Sequence, residues 1–294
     1  MLLTSSGHRS LRSSSCIDSP AARLSLADGW EREAQAFLEA GRDWEAVGRA
    51  LRDSPEAPEE TVMGRLQAAL EPLLASAHHG LFLSSAGRTD AGVSATGQLV
   101  TFYSWVPLSP EQLHAAVAEA APAPRTLVLR AARRVPRAFH ATFAATRRRY
   151  TYLLPASPGG DVPAEALDAL LKPLAGAARD YRALGRGLPK GKDPSTRILA
   201  AAASRVALPC GAEAVRLDVA GDRFLRRQVR TLVATAVHAA RSRPGDELAL
   251  LDLATCGDVH RTAPAAPAIG LCLAEAGYGA AAPDEAQSRG ESGG

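Results

Sequence analysis

The stretch AGRTDAGVSATGQLVTF, residues 86–102, sets one carboxylate, Asp90, among glycine, alanine and other small side chains, with Arg88 two positions earlier. No second acid falls within it. A lone Asp in T-D-A-G commonly closes an Asx turn, its side chain accepting from the backbone two residues on. The small neighbours point to another use, because a large flat ligand can approach the backbone closely there. If the segment is extended, Arg88 and Asp90 lie on the same side. Covering a carboxylate with a ligand penalises the anion, and a guanidinium close by offsets that penalty. The pair therefore suits a carboxylate that stays charged while buried, as a nucleophile or as a stabiliser of a developing cation. A general acid needs the opposite environment. No partner acid, Ser–His pair or metal-ligand cluster offers a rival scheme, and the P-loop and dinucleotide glycine patterns are absent.

The positive charge is grouped. Lysine occurs only at 172, 190 and 192, and the formal net charge is +3. Arginine falls in three clusters: Arg130, Arg133, Arg134 and Arg137; Arg147, Arg148 and Arg149; Arg223, Arg226, Arg227 and Arg230. A basic stripe is the footprint of a phosphate-binding face. Arginine beside heavy alanine usage also fits a compositional bias that leaves a solvated surface. Cys16, Cys210, Cys256 and Cys272 form no C-x-x-C pair and the histidines have no metal-ligand spacing, so no metal site is expected. Scattered cysteines in a chain of this size suggest a reducing compartment. No run of eighteen apolar residues exists, so no membrane-spanning helix is expected.

The elements that must hold these residues alternate between strand and helix. Helical spacing recurs over 30–52, over 62–76 behind a Thr61 cap, over 110–120 behind Ser109 and Pro110, over 163–176 and over 224–238. Strands are expected at 81–85, 97–104, 126–135, 148–154, 198–206, 213–220 and 270–278. A Gly- and Lys-containing loop spans 185–197. The short strand connections argue an α+β fold, a mainly antiparallel sheet covered on one face by helices. Residues 1–21 are Ser-rich, with Arg9 and Arg12 and no acid before Asp18. That composition fits an organellar transit peptide and a disordered terminus equally. Residues 281–294 read as a disordered tail.

At this point the opening motif resembles the signature of the TruA-type tRNA pseudouridine synthases, G-R-T-D-A-G-V-H-A. FHATFAATRRRYTYLL (139–154) is similar to that family's F-H-A-R-F-x-A…R-x-Y-x-Y, and DYRAL (180–184) and Arg197 fall where it has comparable residues. GDRFLRRQVRTLVATAV (221–237) resembles G-x-x-F-L-x-x-M-V-R-N-I-V-G, and APAIGLCLAEAGY (266–278) resembles the closing A-P-x-x-G-L-x-L-x-x-V-x-Y strand. Ser94 stands for the family's histidine, Thr142 for an arginine, and Gln228 and Thr231 for methionine and asparagine. The family's opening strand, Y-D-G turn and G-W-Q element have no clear copy, RLSLADG (23–29) being a faint echo.

The resemblance implies two ferredoxin-like halves, 22–145 with the catalytic aspartate and 146–280, sharing one sheet with a basic cleft between them. It implies a cofactor-free isomerase that detaches uracil from C1′ and rejoins it through C5. The implied substrate is the tRNA anticodon stem-loop around positions 38–40, and the implied assembly is a homodimer. Carried over, Asp90 is the catalytic carboxylate and Arg88 its partner, Tyr150 stacks on the target base, and Arg230 approaches from the second half. Gly87, Thr89, Phe224 and Leu225 are substrate-binding, as are Arg147, Arg148, Arg149, Arg226 and Arg227. Tyr150 also reads as a strand core residue, and Phe224 and Leu225 as helix core. A non-catalytic RNA-binding or chaperone protein that kept the fold is the alternative, favoured by the divergent front.

Overall fold

The computed structural model describes residues 2–5, 61–74, 83–104, 106–121, 126–155, 162–209 and 211–279. Thr61 is extended and its hydroxyl accepts from the Gly64 amide at 3.0 Å, opening helix α1 (Val62–Leu70). Ser109 and Gln112 form a capping box before α2 (Pro110–Ala120), each side chain bonding the other residue's amide. These caps satisfy amides that the first helical turn leaves without partners. Leu66 and Leu70 of α1 and Leu113 and Val117 of α2 pack on Val100 of β3 (Ser94–Thr101) and on Leu127 and Leu129 of β4 (Leu127–Ala131).

A second, larger core lies under α3 (Ala164–Leu171), α4 (Gln228–Ser242) and α5 (Ala249–Thr255). Leu167, Leu171, Leu232, Val233 and Leu250 meet Tyr152 of β5 (Ala145–Pro155), Ile198 of β7 (Ser195–Ala207), Leu217 of β8 (Glu213–Gly221) and Leu273 of β9 (Leu271–Tyr278). With β1 (Leu2–Ser5), β2 (Ser84–Ser85) and β6 (Ala178–Asp180), the strands form one nine-stranded sheet. Its order is β4-β1-β3-β9-β5-β8-β7-β6, with β2 also on β3. The architecture is α+β, as the alternation of elements predicts. All described pairings are antiparallel except β3 with β9, where Ser94 faces Cys272 and Ala95 faces Leu273.

That parallel seam brings the two cores together, and a bulge shapes it. Leu3 pairs with Gln98 but Ser5 pairs with Ala95, so β3 carries one extra residue there. The extra residue resets the alternation, which is why Ala95 and Val100 are both buried although they stand five positions apart. Gly97 sits in this kink, and a Cβ there would lie 2.4 Å from the carbonyl oxygen of Ala274 on β9. Backbone cannot yield as a side-chain tip can. Gly97→Ala is therefore expected to destabilise the fold by about 1–3 kcal/mol, the usual penalty of overpacking. A urea midpoint that does not move would show that the seam has slack.

Several elements differ from the sequence expectations. Leu2–Ser5, inside the segment expected to be disordered or transit-peptide-like, form β1 between β3 and β4. Four residues are too few for a composition argument, and here they bond to a neighbour on each side. β3 begins at Ser94 rather than at Gly97. The α-helices expected over 62–76 and 163–176 stop at Leu70 and Leu171 and pass into 3-10 turns holding Pro72 and Pro173, as proline's missing N–H requires. The helix expected from Phe224 starts at Gln228, because Arg227 has φ 61° in the left-handed region. β6 and α5 had no periodic signal. The helix expected over 30–52, the echo at 23–29 and the tail after 280 lie outside the described residues.

Candidate active site

The segment leaving β2 bends at once and closes on itself. The Ala86 amide donates to the carbonyl of Leu99 at 2.8 Å, and the Gln98 side chain donates to the carbonyl of Gly87 at 2.8 Å. The Val93 amide then donates to the carbonyl of Asp90 at 3.1 Å, with Gly92 at φ 78°. A β-turn with a positive φ at its third residue is glycine's place. The backbone carbonyl of Asp90 closes this turn, and its carboxylate turns elsewhere. Asp90 Oδ2 accepts from Arg230 Nη1 at 2.7 Å. The Asx-turn reading of Asp90 is not the geometry found.

Arg230 lies in the first turn of α4, and its side chain is 11 % exposed. Its Nε donates to the carbonyl of Ala266 at 2.6 Å, and the Ala266 amide returns a bond to the Arg230 carbonyl at 3.0 Å. The guanidinium is thus fixed before it meets Asp90. Arg88 is corrected as the partner of Asp90: it is exposed, with no hydrogen bond or ion pair among the described residues. The chain bends at 86–87 and turns at 91–92, and residues 88–90 between them belong to no strand.

Tyr150 stands in the middle of β5, paired with Val219 on one side and Leu273 on the other. Its hydroxyl is 3.7 Å from where a Cβ on Gly87 would stand. The Phe224 ring meets it edge-on, centroids 5.4 Å apart at 83°, a favoured aromatic arrangement. Leu225 is buried beside them. The turn carrying Phe224 and Leu225 is fixed by Gln228, whose Oε1 accepts from the Leu225 amide at 2.7 Å and whose Nε2 donates to Thr196 Oγ1 at 3.0 Å. Gln228 and Thr196 are both buried. The sequence marked Gln228 only as a departure from the family's methionine and gave no sign of its pairing with Thr196, 32 residues away. Thr89 is half-buried on the same loop as Asp90.

Burial pushes the Tyr150 phenol up from 10.0 to about 12; the charge of Arg148 acts against the rise and that of Asp90 with it. The folded state therefore holds this proton more tightly than the unfolded chain does. The associated stability is complete below pH 10 and is lost as pH rises through about 12. Tyr278, also raised to about 12 chiefly by burial, adds in the same window. Stability is expected to fall across that range, with tyrosinate absorbance appearing late for these rings. A Tyr150 that ionises at its ordinary value would contradict the packing described.

The three consecutive arginines do different things. Arg148 points to the Tyr150 side of β5 and is buried. It donates to the carbonyl of Ala86 through Nε at 3.1 Å and Nη2 at 2.8 Å, and to Thr142 through Nη2 at 2.7 Å. Its Nη1 donates to the carbonyls of Ala145 at 3.1 Å and Asp222 at 2.7 Å. Expected in the substrate-binding set, its guanidinium here ties the Asp90 loop, the 142–145 turn and the 222 turn together. Arg147 and Arg149 alternate to the opposite side, where both pair with Glu275 and Arg149 also approaches Asp218 at 3.6 Å. Expected as substrate-binding residues, both are ion-paired here. Arg226 is exposed and Arg227 half-buried at the start of α4.

The arrangement is a carboxylate held by one buried guanidinium, its charge felt at the Tyr150 phenol, with no second acid bonded to it among the described residues. It suits an anion working on an electron-poor carbon. Among the described residues, no group of three or more His, Cys, Asp or Glu could hold a metal ion. No described helix is long and apolar enough to cross a membrane.

A family model described as tRNA pseudouridine synthase matches residues 176–279, which include Phe224, Leu225 and Arg230. The tRNA pseudouridine synthase A of Aeromonas salmonicida (strain A449) is 30% identical over 237 residues, covering 72% of this chain and 81% of that protein. That of Paracoccus denitrificans (strain Pd 1222) is 32% identical over 255 residues, 80% of this chain and 90% of the relative. The chain belongs to the TruA-type tRNA pseudouridine synthase family. A further TruA-type relative, from Roseiflexus sp. (strain RS-1), is 30% identical over 269 residues, with 83% and 89% covered. Against the TruA-type motif, Ser94 is buried on β3 where the family has histidine. Thr142, in place of the family's arginine, donates its hydroxyl to the carbonyl of Ser85 at 2.6 Å.

Proposed function

We propose that this chain isomerises uridine to pseudouridine in tRNA, with Asp90 as the catalytic carboxylate. The ion pair of Asp90 with Arg230 carries the reading. It supports a carboxylate kept anionic beneath a bound base, which an isolated aspartate in an apolar site would not remain. In the reaction the N1–C1′ bond breaks, the freed uracil turns, and C5–C1′ forms. C5 then loses its proton and N1 gains one, so nothing is oxidised or reduced and no cofactor is called for. Asp90 serves at C1′, as nucleophile or as counter-anion to the sugar cation. Tyr150 and Phe224 offer faces to a base taken out of its stack, with Gly87, Thr89 and Leu225 around it.

We assign the site in the tRNA to the anticodon stem-loop around positions 38–40, and the assembly to a homodimer, on the family resemblance. The same resemblance supports two ferredoxin-like halves, 22–145 and 146–280, with a cleft between them. The seam of β3 with β9 is where such halves would join, and Asp90 and Arg230 would be contributed one from each. The non-catalytic alternative rests on the divergent front as a whole; the pairing of β1 with β3 speaks for the enzyme at the strand alone.

The test is tritium release from a tRNA transcript carrying 5-tritiated uridine, followed by mapping of the modified position. Release with pseudouridine at 38–40 is expected. Tight tRNA binding with no release would favour the RNA-binding alternative.

A further inference from the structure

The turn over 136–144 holds an apolar ring in water on a rigid support. Phe143 is 84% exposed, and Tyr103, whose hydroxyl reaches the same turn, is 60% exposed. The Tyr103 hydroxyl donates to the carbonyl of Arg137 at 3.0 Å, at the start of the turn. The turn itself is pinned from several sides. The Tyr278 hydroxyl donates to the carbonyl of Ala141 at 2.8 Å, and the Ala141 amide donates to Thr101 Oγ1 at 3.2 Å. The amides of Thr142 and Phe143 both point at His140 Nδ1, at 3.2 and 3.4 Å, and His140 Nε2 meets Ser84 Oγ at 3.0 Å. The Phe143 ring lies over the His140 ring, centroids 4.4 Å apart and tilted by 31°. One face of Phe143 is supported, and the residue as a whole stays open to water.

The charge along its own stretch of chain has one sign. No acid occurs from residue 120 to 160. Arg133, Arg134 and Arg137 are exposed and make no ion pair among the described residues. The turn also adjoins the Asp90 loop, since Arg148 Nη2 donates to both Ala86 and Thr142. Unpaired cations interleaved with open aromatic rings fit a nucleic-acid strand, whose phosphates and base faces match both features. A second copy of this chain fits poorly, because an isologous contact sets a patch against itself and would oppose the same cations.

We propose that Phe143 and Tyr103 form a stacking platform for unpaired bases of the substrate RNA that flank the target uridine, with Arg133, Arg134 and Arg137 on the adjoining phosphates. This rests on the tRNA reading above.

The experiment measures the Kd of the full chain for an unmodified tRNA transcript over a range of salt. Phe143→Ala is expected to weaken binding about 5- to 100-fold, the range of one lost base stack, with the salt slope unchanged. Phe143→Trp is expected to restore binding. Arg137→Gln is expected to lower the slope of log K against log salt by about one. Unchanged binding in Phe143→Ala overturns the platform, as does a Phe143→Trp no better than alanine. Lost binding that accompanies dissociation into smaller species in sedimentation gives the ring to a second copy instead. Tritium release by the wild type with normal binding by Phe143→Ala rejects the platform alone. No release by the wild type with weakened binding by Phe143→Ala rejects the reaction alone.

Discussion

Asp90→Asn is expected to lower pseudouridine formation by on the order of 10³-fold or more, the scale of removing a nucleophile or its equivalent. The side chain keeps its shape, and its carbonyl oxygen can still accept from Arg230, whose Nη1 stands 2.7 Å from Oδ2 in the native pair. Only the charge and the nucleophilicity are removed. The fold should notice, because Arg230 is mostly buried and loses its counter-charge. A stability loss of about 1–3 kcal/mol is expected, as for a hydrogen bond to a charged group that becomes neutral. Binding of tRNA should survive. Initial rates of tritium release and urea unfolding on the same preparation check both parts. Turnover within tenfold of wild type would remove Asp90 from the chemistry. Arg88→Ala leaves the Asp90–Arg230 pair in place and is expected to keep the fold at wild-type stability.

Arg148→Met is expected to be among the most damaging single changes outside the catalytic residue. Five hydrogen bonds reach four carbonyl oxygens from one buried guanidinium. Each carbonyl left unpaired in a buried place costs about 1–3 kcal/mol, and not all will find water, so a loss of about 3 kcal/mol or more is expected. Arg148→Lys should recover little of it. An ammonium is a compact point of charge and cannot span loops that the planar fork reaches together. Where the variant is still folded, the salt dependence of tRNA binding should match wild type. Wild-type stability with a slope reduced by one would instead make Arg148 a phosphate contact.

The Asp90 motif was legible because the chemistry and its setting are contiguous. The identity of its cation was less so. Arg88 is two positions away along the chain, whereas Arg230 is 140 away and reaches the carboxylate only because α4 begins where it does. The arginine triplet misled through counting: adjacent letters looked like one patch. The expected strand over 148–154 already implied that Arg148 and Arg149 face opposite ways. The start of α4 was misplaced because Phe224 and Leu225 continue the apolar pattern into a turn, and only the left-handed Arg227 breaks it. Gln228 with Thr196 had no motif at all. β1 was hidden by brevity, as four residues hold no periodicity to detect.

The place of β9 has a consequence for how the chain is made. Among the described strands it is the last to be synthesised, yet it sits between β3 and β5, in the interior of the sheet. Until it leaves the ribosome, the strands on either side have open edges facing a gap. Each open edge is a template for pairing with another chain, and the contacts that would close the gap span much of the sequence, which makes them slow to form. The two cores can be stitched together only once β9 has emerged. Asp90 and Arg230 are therefore both synthesised before the strand that joins their two parts of the sheet.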